Sequence, residues 1–424
     1  MENLLFAAYL VLFAWLVTAV RFFRGSGLSN PQLVILLLLK VMTGIFYGWM
    51  GIYYGDTAQM LDTWAHHRNG LLEYEILKTN PHEYFTNLFR DPYHGSGVDS
   101  FFGSADSYWN DLKGNMFAKI LSLFDIFSFG NYYSNVIFYS FLTLFGPIAI
   151  YRVMMDVFPK QKTAVMIGSF LLPSFLYWSS GIHKEGAIAL GIGLVVYHFY
   201  FGLRDNRWGA GRILTILLGL LLLLTLRNFV LAILLPALAA WWLASRRPKR
   251  AWLVFVTFYS VCMVLFFTMR YVDARLDFPQ AVVDKQAAFL ALKGSTSIDT
   301  RILEPTPWSF IINIPQAIFL SAMRPLPTDA NHILSMAAAA EITLLWLLVL
   351  LLIAFPVAGL RMNSFLWFTV FFSGTLLLAI GFSVNNLGAI VRYRSILFPL
   401  MVTPILAGID WRRLNEWTGK NIKK

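Results

Sequence analysis

The residues best suited to chemistry sit in short polar breaks between long apolar runs. Asp56 follows Tyr53-Tyr54-Gly55 at the end of one run. A partly desolvated carboxylate there has the basicity needed to take a proton from a hydroxyl. An aspartate at that place also caps a following helix, and the two roles are compatible. The Gly-bounded turn Gly181-Ile182-His183-Lys184-Glu185-Gly186 joins two further runs and gathers an imidazole, a cation and a carboxylate. Charge in so dry a turn is costly unless something uses it. Lys184 suits a phosphate, Glu185 would position it, and His183 offers a proton relay. The plainer reading is an ion pair that snorkels to the interface and fixes two helix ends.

Arg227, Arg324, Arg392 and Arg394 fall at comparable breaks. With Lys184 they put cationic donors on the face where short connections are normally poor in basic residues, which points to an anionic ligand at the membrane surface. A phosphate or pyrophosphate head group on a lipid tail fits. Pairing with the many loop carboxylates is the structural alternative. His66, His67, His82 and His94 have no compact metal-ligand spacing, so no metal site is expected, and no pattern names a cofactor. Lys40 and Glu341 lie inside apolar runs. Lys40 is near enough to one end to snorkel to the cytoplasm, whereas an intramembrane carboxylate such as Glu341 is a functional candidate by default.

The elements that must position these groups are membrane helices. Of 424 residues 58% are hydrophobic and 13% charged, against about 25% charged in a soluble domain. The apolar runs are continuous rather than alternating, which excludes an outer-membrane barrel. The formal net charge of +11 reads as orientation and not as a nucleic-acid footprint, because the basic residues cluster in short connections. The lone cysteine, Cys262, lies within an apolar run and reads as packing. The first run, Leu4 to Val20, has no basic residue before it and no small-residue cleavage site after it, and reads as a retained helix.

The expected fold is all-α, a polytopic bundle of about 11 spans forming one multi-span domain over residues 1–424. The spans fall near 3–22, 33–54, 132–151, 163–180, 186–203, 212–226, 229–245, 251–269, 333–359, 364–383 and 396–409. The short sixth and seventh, parted only by Arg227-Asn228, also fit a buried hairpin or a re-entrant pair. Basic connections around Arg24, Lys160, Arg207, Arg247 and Arg361, and the tail from Arg412, all fall on one side. Taking that side as cytoplasmic puts the N-terminus outside and the C-terminus inside. Two long loops, 55–131 and 270–332, are then external. The first is rich in acids and aromatics, and its apolar spacing over 57–72 and 116–129 predicts helices lying on the bilayer.

This arrangement resembles the polyprenyl-phosphate-dependent glycosyltransferases of the GT-C fold, in which a catalytic carboxylate follows a span in the first large external loop. Gly55-Asp56 matches that acidic position, although here it follows the second expected span rather than the first. The segments 179–186, Arg324-Pro325 and Arg392-Tyr393-Arg394 are also similar to stretches of Bacteroidota membrane proteins found near polysaccharide genes. The resemblance implies a multi-pass enzyme of a bacterial inner membrane, moving sugar from a lipid-linked donor to a glycan, lipid or protein acceptor by inverting displacement. Asp56 would be the base, with Asp62, Glu185 or Asp106 as alternatives. Some of Lys184, Arg227, Arg324, Arg392 and Arg394 would hold the phosphate. A polymerase or ligase of lipid-linked polysaccharide, or a transporter of lipid-linked glycan, remains a rival reading.

Overall fold

The computed structural model describes residues 2–53, 62–93, 101, 107–292, 296–330, 332–359 and 361–422. Asp56, Asp106 and His94 lie outside the described residues, so the expected base and one of its alternatives have no structural account. Among the described residues there are helices and two isolated β-bridges, and no strand. That is the outcome expected where no water is at hand to satisfy the backbone, since a helix meets its own N–H and C=O groups internally.

Eight helices among the described residues are long and apolar enough to cross a membrane: Glu2–Ala19, Asn30–Tyr53, Tyr132–Val157, Lys184–Asp205, Asn228–Ser245, Pro248–Tyr271, Ile333–Ala354 and Ser364–Ser383. Each coincides with an expected span. The other three expected spans take different forms. Residues 163–180 are two helices, Lys162–Phe170 and Pro173–Ser180, because Pro173 cannot donate a helical hydrogen bond and disfavours helix in the residue before it. Residues 212–226 belong to Ala210–Leu226, whose 17 residues rise only about 25 Å against about 30 Å of hydrocarbon. The last expected span is Phe398–Gly408, bent by 70° from Leu387–Ser395. Pro399 opens that second helix at a position where the missing N–H costs nothing.

The chain divides into two compact units. One comprises Met1–Arg152 and Phe175–Leu231, and the other Val153–Ser174 and Ala232–Lys424. In the first unit the helices Asp62–Thr79 and Tyr108–Ser128, which overlap the stretches 57–72 and 116–129, pack along one another; residues 57–61 lie outside the described residues. A part-buried ion pair, Lys119 Nζ to Glu73 Oε2 at 2.6 Å, joins them. The Lys119 ammonium also sits 3.6 Å from the centre of the Tyr84 ring. Helices Lys184–Asp205 and Ala210–Leu226 approach closely where Gly191 faces Gly219. A Cβ on Gly191 would lie 3.2 Å from the Gly219 carbonyl oxygen, a distance only small residues allow.

Lys40 does not snorkel to the cytoplasm as expected. It is 3% exposed, and its Nζ donates to the Ser179 carbonyl at 2.5 Å and to Ser179 Oγ at 3.2 Å. The ammonium thus caps the C-terminus of helix Pro173–Ser180, where the backbone dipole favours a cation. That local attraction replaces the reach to water.

In the second unit the core includes Trp241 stacked on Phe368 with ring centres 4.6 Å apart. Helix Lys162–Phe170 packs against Phe398–Gly408, with Gly168 giving room to Thr403. Glu341 is buried within its helix and accepts the Ser174 backbone N–H at 3.0 Å, so it meets the N-terminus of the helix that Pro173 begins.

Candidate functional site

The turn 181–186 opens helix Lys184–Asp205, and its geometry follows from helix capping. His183 is the N-cap, with extended backbone at φ −147°, ψ 148° and no side-chain capping bond, so its ring is available for other work. Glu185 lies in the first helical turn, where a carboxylate is favoured by the dipole. Tyr139, on helix Tyr132–Val157, fastens the turn from behind. Its hydroxyl donates to the His183 carbonyl and accepts the Ala187 N–H at 2.9 Å.

Four side chains form a continuous chain through the first unit. Arg227 Nη2 donates to Glu185 Oε1 at 2.7 Å, Glu185 Oε2 contacts His183 Nδ1, and His183 Nε2 lies 3.1 Å from Asp62 Oδ2. Glu185 is 0% exposed, whereas 53% of the Asp62 side chain is open. The chain therefore runs from a buried arginine, through a fully buried carboxylate, to an accessible one. Tyr47, Trp178 and His66 surround the His183 ring at 6.2, 5.9 and 5.6 Å between centres.

A ring flanked by carboxylates at both nitrogens fixes the proton count. Either both nitrogens carry hydrogen, or one carboxyl does. A proton arriving at Asp62 while the ring is neutral can pass to Nε2, with Nδ1–H donated to Glu185. His66 beside them is kept neutral. Burial, then the nearby His183 and Lys184, lowers its pKa to about 3.

Of the sequence candidates, the structure gathers Glu185, His183 and Arg227, with Lys184 half-buried next to them in the chain. Asp62, held in reserve as an alternative base, is the member that reaches the surface. Tyr139 was not anticipated, since a tyrosine within an apolar run carries no signal of its own.

Arg324, Arg392 and Arg394 belong to the second unit. Arg324 grips Asp329 through both edges of its fork, with Nε to Oδ2 at 2.8 Å and Nη2 to Oδ1. It holds the Asp329 carboxyl below the usual carboxylate range, so pairing with a loop carboxylate describes this arginine. The Arg392 guanidinium lies 5.1 Å from the Tyr393 ring centre. Arg394 is buried and donates through Nη1 to the Ser321 carbonyl at 3.0 Å and to the Arg324 carbonyl. No group of three His, Cys, Asp or Glu side chains among the described residues is arranged to hold a metal ion.

No family model, curated protein or solved structure matches this chain.

Proposed function

We propose that this protein is a membrane transferase that moves a glycosyl group from a polyprenyl-phosphate donor to an acceptor hydroxyl. The observation carrying the reading is the Asp62–His183–Glu185–Arg227 chain at the start of a membrane-spanning helix. An exposed carboxylate backed by an imidazole and a buried carboxylate is suited to general-base work. In the proposed step the acceptor oxygen attacks the anomeric carbon, the bond from that carbon to the donor phosphate breaks with inversion, and the phosphate leaves with the electron pair. The acceptor proton passes to Asp62. Lys184, adjacent to the relay, supplies positive charge for the departing phosphate.

The basic short connections support an inner-membrane orientation with the N-terminus outside, the C-terminus cytoplasmic and the relay on the external face. The acceptor class is a glycan, lipid or protein hydroxyl. The test is transfer from radiolabelled polyprenyl-phosphate sugars to crude acceptor by purified wild-type and Asp62→Asn protein. Transfer lost in the variant at unchanged yield and unfolding temperature supports the reading. Equal transfer by both removes Asp62 from the chemistry.

A second reading, transport of a lipid-linked glycan, is favoured by the interrupted helices of the second unit and by Glu341 at the helix start near Ser174. Discontinuous helices with charged groups at their ends are the common material of transporter sites. Counterflow of labelled lipid-linked glycan across proteoliposomes, without any change of covalent linkage, would favour it over transfer.

A further inference from the structure

Arg394 is 1% exposed, and two of its nitrogens, Nε and Nη2, are buried without a hydrogen-bond partner. These are not arbitrary atoms. Nε–H and Nη2–H point the same way along one edge of the guanidinium plane, the edge that binds carboxylate or phosphate with two parallel hydrogen bonds. The opposite side is already used, since Nη1 donates to the Ser321 and Arg324 carbonyls. The fork is thus held in place from behind, and its front edge is buried without a hydrogen-bond partner. Among the described residues no carboxylate lies within ion-pair distance of it. Glu341 acts on it electrostatically, yet its Oε1 is engaged with the Ser174 N–H.

The location adds a second observation. Arg394 is the penultimate residue of helix Leu387–Ser395, immediately before the 70° bend into Phe398–Gly408. Interrupted membrane helices are tolerated where they line a ligand site or are buried in protein. A buried guanidinium with an unused fork at such a break is costly unless an anion completes it.

The geometry points to an anion site in the second unit, at which the Nε/Nη2 edge of Arg394 binds two oxygens of a phosphate or carboxylate group. Glu341, beyond ion-pair distance, acts on this edge only through its charge. This site stands independently of the transferase reading, which rests on the first unit alone.

The experiment follows the unfolding midpoint of the full chain in phosphatidylcholine nanodiscs, with phosphatidic acid mixed into the lipid or with inorganic phosphate added to the buffer. A rise with phosphatidic acid alone identifies a lipid head group as the source. A rise with phosphate alone identifies a free anion. Arg394→Lys keeps the charge and can still reach a carbonyl but has no fork, and should weaken the response about ten-fold in ligand concentration, as the loss of one good charged hydrogen bond does. Glu341→Gln removes a negative charge that acts on Arg394 and should strengthen the response. Absence of any rise in the wild-type protein overturns the proposal, as does an equal response in Arg394→Lys. Should Arg394→Lys fail to fold, Glu341→Gln decides, and a response no stronger than wild type overturns it.

Discussion

His183 Nε2 lies 3.1 Å from Asp62 Oδ2, although 121 residues separate the two in the chain. Glu185 holds the other ring nitrogen, so changing either carboxylate should have different consequences. On the proposed transferase reading Asp62→Asn removes the proton acceptor from a half-exposed position, and transfer should fall by about 10² to 10⁴, the usual worth of a positioned base, with little change in unfolding temperature. Glu185→Gln leaves the buried Arg227 and His183 without their carboxylate. It should cost about 3 kcal/mol or more of stability as well as activity. Transfer rates and thermal unfolding of both variants check this. A stable Glu185→Gln protein would mean that the buried charges are not mutually dependent.

Acid sensitivity should trace to the loop helix Asp62–Thr79. Burial, followed by Arg68, lowers the His67 pKa to about 4, and His66 stands at about 3. Both folded values lie below the ordinary 6.5, so between them and 6.5 the unfolded chain binds protons that the folded one refuses. Stability from these residues is complete above about pH 6.5 and declines as pH falls toward 4, by an amount on the order of 2 kcal/mol for each. His67→Gln should flatten the acid limb of an unfolding-midpoint profile between about pH 7 and pH 4.5. A limb of unchanged slope would assign the acid loss to other groups.

Hydropathy made the long helices legible because a span must be nearly all apolar to cross hydrocarbon, and eight runs satisfy that without interruption. The three that differ do so for local reasons that hydropathy averages away: Pro173, a helix of 17 residues, and the turn before Phe398. The site was half legible. His183 and Glu185 announced themselves as charge in a dry turn, but which groups they meet depends on how distant helices pack: Asp62 stands in the sequence only as one alternative base, and Tyr139 is marked by nothing near it. Lys40 misled for the opposite reason. The capacity of a lysine to snorkel is evident from sequence, whereas the carbonyl at Ser179 that holds it is not.

Asp125 should be a liability that the fold carries at neutral pH. It is fully buried, and its Oδ2 has no hydrogen-bond partner, while Oδ1 accepts from Asn135 Nδ2 at 2.6 Å. Burial raises its pKa, against the opposing hydrogen bonds from Asn135 and Ser128. For a carboxyl shifted upward, the stabilising contribution is complete below the unfolded pKa and is lost as pH rises through the folded one. Asp125→Asn keeps an oxygen for Asn135 and removes the buried charge. It should raise stability by about 1 kcal/mol at neutral pH and lose that advantage in acid. An unfolding midpoint that falls at neutral pH would show that the ionised carboxylate has a partner worth keeping.

Gly181 tests whether the turn itself positions the relay. A Cβ at this residue would collide with the Tyr47 ring, which also packs edge-on against His183 at 6.2 Å. Because Tyr47 sits within a buried helix face, it cannot simply swing away. Gly181→Ala should therefore displace the ring or the turn, costing about 1 to 3 kcal/mol as overpacked cores do. Shrinking the obstacle separates the two outcomes. If the loss is steric, Tyr47→Leu combined with Gly181→Ala should recover much of the stability, and the pair should be non-additive as residues in contact are. Transfer activity in the double variant then reports on His183. Recovered stability with recovered transfer means that Tyr47 only makes room for the turn, whereas recovered stability without transfer means that its ring holds the imidazole in line between Asp62 and Glu185.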